Sequence, residues 1–228
     1  MTLTKKTFYG RRRGRPLREL KGQLFESLLP RLTLEGTEPD KDLQVETFFK
    51  TLASEYWLEI GFGGGEHLAA HVRANPQVHF IGSEVFINGV ASLLQHLNEE
   101  DYDRVRLYPD DVRDFLPRLK ASQFSRIFVM FPDPWPKVRH HKRRLLKPAF
   151  LEELARLLVP GGVLHIASDH AGYVDEILEN IPQVTALSLQ GTPDTWARPF
   201  FEGAFPTRYE SKAKAVGRAC SYFQLIKK

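Results

Sequence analysis

A chain of 228 residues with 42% hydrophobic content is long enough for one α/β domain with a substantial core, which excludes disorder throughout. No apolar stretch approaches the roughly 18–20 residues of a membrane span, the basic N-terminus lacks the apolar segment of a secretory signal, and the single cysteine, Cys220, excludes an intrachain disulfide or a multi-cysteine zinc site, so a cytoplasmic protein is expected. The formal net charge of +4 is unevenly spread: residues 1–21 hold eight Lys/Arg and one Glu, residues 137–147 hold six Lys/Arg and no acid, and the rest of the chain carries a net −9.

Residues 1–20 lack a hydrophobic period and hold a dense arginine cluster, which reads as a flexible basic arm that orders on a partner. After a Pro- and Gly-punctuated stretch to Pro39, the apolar spacing of Leu43, Val45, Phe48, Phe49 and Leu52 predicts a helix over 40–53 with Asp40 as its N-cap. Regular alternation then begins. Strands are expected at 56–62, 78–83, 105–108, 127–131 and 163–167, and helices at 64–75, 87–100, 112–119, 149–158 and 171–181. Two last apolar runs, 184–189 and 220–226, lie too far apart for a tight hairpin. Strands alternating with helices at this spacing argue for a parallel sheet covered on both faces.

The first strand runs into Gly61-Phe62-Gly63-Gly64-Gly65 at a helix start, where a backbone approaches a ligand closely. Glu84 ends the next strand about twenty residues on, the place from which an acid accepts hydrogen bonds from ribose hydroxyls. Glu59, just before the glycines, would serve a pyrophosphate poorly and a cation well. S-adenosylmethionine carries a sulfonium and an ammonium, so this acid favours it over NAD. Asp110-Asp111 follows the third strand, positioned for an adenine amino group or for capping the helix after it.

The fourth strand leads into Phe131-Pro132-Asp133-Pro134-Trp135-Pro136-Lys137, followed by Arg139, His140, His141, Lys142, Arg143 and Arg144. Three alternating prolines fix φ and remove donors, so neither helix nor central strand continues and the loop starts stiffly. Asp133 and Trp135 are thereby held at the carboxyl end of a strand, where open α/β sheets bind ligands. Trp135 either stacks on a base or braces the loop. The cationic tract suits phosphates, and two separated basic patches on an acidic body suit a nucleic acid. Ser168-Asp169-His170 offers hydrolase residue types, but three consecutive side chains diverge and cannot act in series. His67 and His71, four apart, lack an evident third metal ligand and read as a solvated helix face. Cys220, among Tyr222, Phe223, Leu225 and Ile226, reads as a small buried residue.

Taken in order, Leu58 to Gly65, Phe131 to Lys137 with its basic tract, Ser168-Asp169 and Thr207-Arg208-Tyr209-Glu210 resemble the bacterial tRNA (guanine-N7-)-methyltransferase family, from about residue 55 to the C-terminus. The resemblance implies an α/β, class I (Rossmann-like) S-adenosylmethionine-dependent methyltransferase fold: a mostly parallel seven-stranded sheet with an antiparallel last strand, in one domain over 21–228 behind the 1–20 arm. It implies methyl transfer from S-adenosylmethionine to guanine N7 in the variable loop of tRNA, giving 7-methylguanosine. It implies cofactor contacts at Glu59, Glu84, Asp111 and Asp133 and substrate contacts at Lys137, Asp169, Thr207, Arg208, Tyr209 and Glu210. The glycine turn adds Gly61 and Gly63 to the cofactor side and the basic tract adds Arg139, Arg143 and Arg144 to the substrate side, while Asp133, with Asp169 second, is the expected catalytic carboxylate; no metal or membrane is expected. The competing readings are a non-catalytic tRNA-binding protein, an NAD-dependent dehydrogenase, and a methyltransferase for another base or a small molecule.

Overall fold

The computed structural model describes residues 8–34, 42–199 and 205–228. The chain falls into two compact units, Met1–Gln123 and Phe124–Lys228.

The first unit opens with helix α1 (Glu19–Ser27) and a single turn, α2 (Leu29–Leu32). Neither was foreseen: Leu20, Leu24 and Leu28 recur at helical spacing, but Gly22 within the run and Pro30 after it read as punctuation. Three parallel strands follow, β1 (Glu55–Ile60), β2 (Val78–Ser83) and β3 (Val105–Tyr108), in the order β3-β2-β1, with α3 (Glu66–Ala74) and α4 (Ile87–Leu94) as crossovers. All six residues of β2 are buried, as a strand covered on both faces requires.

Three expected helices of this unit differ. Over 40–53 only a 3-10 turn, Val45–Phe48, forms, because Leu43 instead pairs its backbone with Arg118 and Lys120; Asp40 lies outside the described residues. The helix at 87–100 stops at Leu94, and Asn98 starts a separate 3-10 turn with a capping box to Asp101. At 112–119 two 3-10 turns replace a helix, since Pro117 brings no amide donor.

The described part of the basic arm is hydrogen-bonded. The Ile87 amide donates to the Arg12 carbonyl at 2.9 Å, Gly14 donates to Asn88 Oδ1 at 2.7 Å, Asn88 Nδ2 donates to the Arg15 carbonyl at 2.8 Å, and Arg12 pairs with Asp110 at 2.7 Å. Residues 12–15 thus lie across the start of α4.

The second unit contains β4 (Phe124–Met130), α5 (Pro148–Leu157), β5 (Leu158–Ser168), α6 (Ala171–Asn180), β6 (Leu187–Leu189), the short α7 (Pro193–Trp196), α8 (Arg208–Ala215) and β7 (Ser221–Lys227). Its strand order is β4-β5-β7-β6. β4 and β5 are parallel, and β7 runs antiparallel to both its neighbours. Pro160-Gly161-Gly162 does not precede β5 as expected; it is a bulge within it, where the register with β4 jumps from Phe124↔Leu158 to Arg126↔Val163 and Gly161 takes φ 76°. The long spacer before the last strand holds α7 and α8. Seven strands, mostly parallel with the last antiparallel, make this the expected class I α/β fold.

Candidate active site

In the first unit the site residues sit on strand tips and the turns that leave them. Gly65 starts α3 at φ 83°, and a Cβ there would lie 2.5 Å from Leu93 Cβ, so both conformation and space require glycine. Gly61 and Gly63 share the turn, also at positive φ. Glu84 clamps that turn: its Oε2 accepts from the Gly63 amide at 2.7 Å and its Oε1 from the Phe86 amide at 2.8 Å.

Glu59 is 3% exposed and faces His67, whose Nδ1 lies 2.9 Å from its Oε2. His67 and His71 are 5% and 3% exposed, with their Nε2 atoms 3.2 Å apart. The solvated helix face expected of these histidines is therefore corrected: both point inward from α3, because Leu68, Ala69 and Val72 bury the same side of the helix. Asp111, also buried, accepts from the Arg113 amide at 3.1 Å and from its guanidinium at 2.5–3.2 Å. Capping and ion pairing thus occupy both of its oxygens, and this pairing raises the pKa of Arg113.

In the second unit the loop after β4 is strained where the prolines suggested stiffness. Phe131 at φ 52° and Trp135 at φ 44° are left-handed without being glycine, a cost of about 1–3 kcal/mol each, and they bracket Asp133. Asp133 is exposed as a residue, yet the surroundings of its carboxyl desolvate it and raise its pKa. Its exposure limits that rise. Trp135 lies under the Arg143 guanidinium at 5.0 Å and meets the edge of His140 at 5.9 Å.

Residues 138–143 form a 3-10 turn that divides the basic tract. Lys137 and Arg139 are exposed and Arg143 half-buried. Arg144 is 3% exposed and committed inward, donating through Nε to the Pro134 carbonyl at 2.8 Å and through Nη1 to the Gly172 carbonyl at 2.8 Å and Glu176 at 2.5 Å. Asp169, at the end of β5, pairs with Arg218 at 2.5 Å. Thr207 caps α8 by accepting from the Glu210 amide at 3.0 Å, Glu210 is buried and paired with Lys214, and Arg208 and Tyr209 between them are exposed. Cys220 is half-buried rather than buried, and desolvation raises its thiol pKa, which argues against a nucleophile.

Sequence reasoning singled out His67 for its spacing from His71 but not as the partner of Glu59. It missed Arg113, Glu176 and Arg218, the partners of Asp111, Arg144 and Asp169, and Asn88, the partner of the basic arm. Among the described residues no group of three or more His, Cys, Asp or Glu could hold a metal ion, and no helix is long and apolar enough to cross a membrane.

A family model described as a putative methyltransferase matches residues 53–222. A tRNA (guanine-N(7)-)-methyltransferase of Rhodospirillum rubrum is 46% identical over 219 residues, covering 94% of this chain and 85% of that protein. Another, from Paramagnetospirillum magneticum, is 44% identical over 218 residues, covering 95% and 90%. Among solved structures, the 16S rRNA methyltransferase KamB aligns with a TM-score of 0.53 at 15% identity, over 77% of this chain and 87% of that one, a likeness of fold.

Proposed function

The chain belongs to the tRNA (guanine-N(7)-)-methyltransferase family, and from that premise we propose that it transfers a methyl group from S-adenosylmethionine to N7 of a guanine in the variable loop of tRNA, forming 7-methylguanosine. The observation that carries this reading is the identity to the relatives of that name along almost the whole chain. The first unit fits the donor: a buried carboxylate at a strand tip, Glu59, and a glycine turn clamped by Glu84 suit a cationic nucleoside. S-adenosylmethionine supplies an electrophilic methyl on sulfur. Glu59 would attract its ammonium, Glu84 would accept from its ribose, and the turn at Gly61 and Gly63 would let it approach the backbone, while Asp111 would reach its adenine only by giving up a bond to Arg113.

Guanine N7 offers a lone pair at neutral pH, so no base is required to remove a proton, and alignment supplies much of the rate. The base gains positive charge as the methyl arrives. A carboxylate aimed at it stabilises the transition state more than the ground state. Asp133 has that role in this reading, with Asp169 as a second acid toward the base. Its strained, proline-fixed loop supports the assignment, because strain persists where the surrounding structure enforces a conformation. Lys137, Arg139 and Arg143 hold phosphates, and Arg208 and Tyr209, presented at the start of α8, meet the RNA. The cytoplasm is the compartment this reading assigns.

The test is mass spectrometry of nucleosides from unmodified tRNA incubated with protein and S-adenosylmethionine. 7-Methylguanosine is expected. A different methylated nucleoside, or none, overturns the reading.

A further inference from the structure

We propose that His67 is a positioning residue of the methyl-donor site: it ties the Glu59 carboxylate across the glycine turn through Oε2, leaving Oε1 for the donor's ammonium, while His71 fixes the ring of His67. The inference rests on Glu59 being a donor-binding acid.

The geometry begins with periodicity. Trp57 and Glu59 alternate onto one face of β1, and His67 and His71 lie one turn apart on one face of α3. Their rings form a column: Glu59 Oε2 to His67 Nδ1 at 2.9 Å, His67 Nε2 to His71 Nε2 at 3.2 Å, and the Trp57 ring edge-on to His71 at 5.5 Å. The chemistry sets its polarity. A carboxylate accepts and does not donate, so Nδ1 of His67 carries the proton. In the neutral ring Nε2 is then an acceptor, and it is filled by the Nε2–H of His71. One direction of donation, His71 to His67 to Glu59, satisfies each contact.

Position gives the column its function. Glu59 lies just before Gly61, and His67 lies two residues after Gly65. Their bond therefore joins the two ends of the glycine turn, fixing both the turn and the rotamer of the acid. For packing alone, three polar side chains no more than 5% exposed are a costly choice, since well-packed apolar residues of similar volume are often neutral or stabilising.

Asparagine and glutamine at position 67 separate the two ring nitrogens. The asparagine amide falls near Nδ1 and keeps the bond to Glu59; the glutamine amide falls near Nε2, keeps the contact to His71 and loses the acid. In the full-length protein, S-adenosylmethionine binding is measured by calorimetry, with kcat and both KM values, on His67→Asn, His67→Gln and Glu59→Gln. Thermal unfolding establishes that each is folded. A hydrogen bond to a charged group converts to about a tenfold effect or more, so His67→Gln should weaken donor binding and raise its KM by about tenfold with the KM for tRNA unchanged, while His67→Asn stays within about threefold of the parent. Equal behaviour of the two position-67 variants overturns the inference. If His67→Gln does not fold, His71→Met decides, with a several-fold weaker donor expected and unchanged binding overturning the proposal. Unchanged donor binding in Glu59→Gln instead overturns the reading of Glu59, and the inference with it; weak binding there beside normal binding in His67→Gln overturns the inference alone.

Discussion

Arg144 donates through its Nε to the carbonyl oxygen of Pro134 at 2.8 Å, so a residue of the basic tract grips the Pro134–Trp135 peptide, just beyond Asp133. The same guanidinium reaches the Gly172 carbonyl and Glu176, and lies over the Tyr173 ring at 4.9 Å. Nε and Nη1 are engaged by three oxygens and Nη2 is buried without a partner among the described residues, so the guanidinium presents no exposed donor to a phosphate. Arg144 therefore belongs to the loop's support.

Replacing Arg144 separates support from RNA contact. Arg144→Ala should cost about 3 kcal/mol, the low end for a broken buried pair, because Lys147 still neutralises Glu176. Arg144→Lys keeps the charge, loses the fork, and should lower kcat while leaving the salt dependence of tRNA binding as in the parent. Denaturant unfolding and filter binding across salt concentrations measure both, and a flattened salt slope in Arg144→Lys would return this residue to the RNA surface.

Arg139 and Arg143 should part in a different way. Each lost phosphate contact removes roughly 0.7–0.9 from the slope of log K against log salt. Arg139→Ala, at an exposed position, should show that change and a normal kcat. Arg143→Ala should show it with a lower kcat as well, since its guanidinium also covers Trp135. Identical kcat values for the two variants would detach the stacking from the chemistry.

How far these residues were legible depended on what each one touches. Glycine clusters, strand runs and prolines act through the backbone within a few residues, so β1, the turn at Gly61–Gly65 and the loop after β4 could be read in order. Arg144 looked no different from Arg143, because its partners, Pro134, Gly172 and Glu176, are brought to it by tertiary folding. His67 and His71 were legible as a pair but not as inward-facing, since which side of α3 is covered depends on the sheet. Helix α1 was hidden by Gly22 within it and Pro30 just after it, although Leu20, Leu24 and Leu28 keep a helical spacing. At Leu43 a tertiary backbone pairing with Arg118 and Lys120 overrode a fair helical pattern.

The pH profile should carry the mark of Asp133. Desolvation raises its folded-state pKa, so the folded protein binds more protons than the unfolded chain between the ordinary carboxylate value of about 3.9 and the raised one. Stability contributed at this site is therefore lost as pH rises through that window. With Asp133 in the proposed role, methyl transfer should run the opposite way, because the ionised form would stabilise the charged base. At saturating donor and tRNA, kcat should fall on the acid side at a higher pH than an exposed aspartate would give. Asp133→Asn should abolish most turnover, leave tRNA affinity nearly unchanged, and unfold at a temperature no lower than the parent at neutral pH. A kcat that stays flat down to about pH 4 would remove Asp133 from the chemistry.

Two glycine substitutions in helices should have opposite signs. Gly89, in α4, faces the glycine turn so closely that a Cβ would lie 2.3 Å from the Gly63 carbonyl oxygen, and backbone cannot yield as a side-chain tip can. Gly89→Ala should destabilise by about 1–3 kcal/mol, the usual cost of overpacking, and weaken donor binding, because the same carbonyl belongs to the peptide next to the amide that Glu84 clamps. Gly22 lies within α1 with nothing within 4 Å of its would-be Cβ. Gly22→Ala should therefore stabilise by up to about 1 kcal/mol, since alanine loses less backbone freedom on entering a helix. Chemical denaturation of both variants, with donor binding on each, measures the contrast; a neutral Gly89→Ala would mean that α4 and the glycine turn separate without cost.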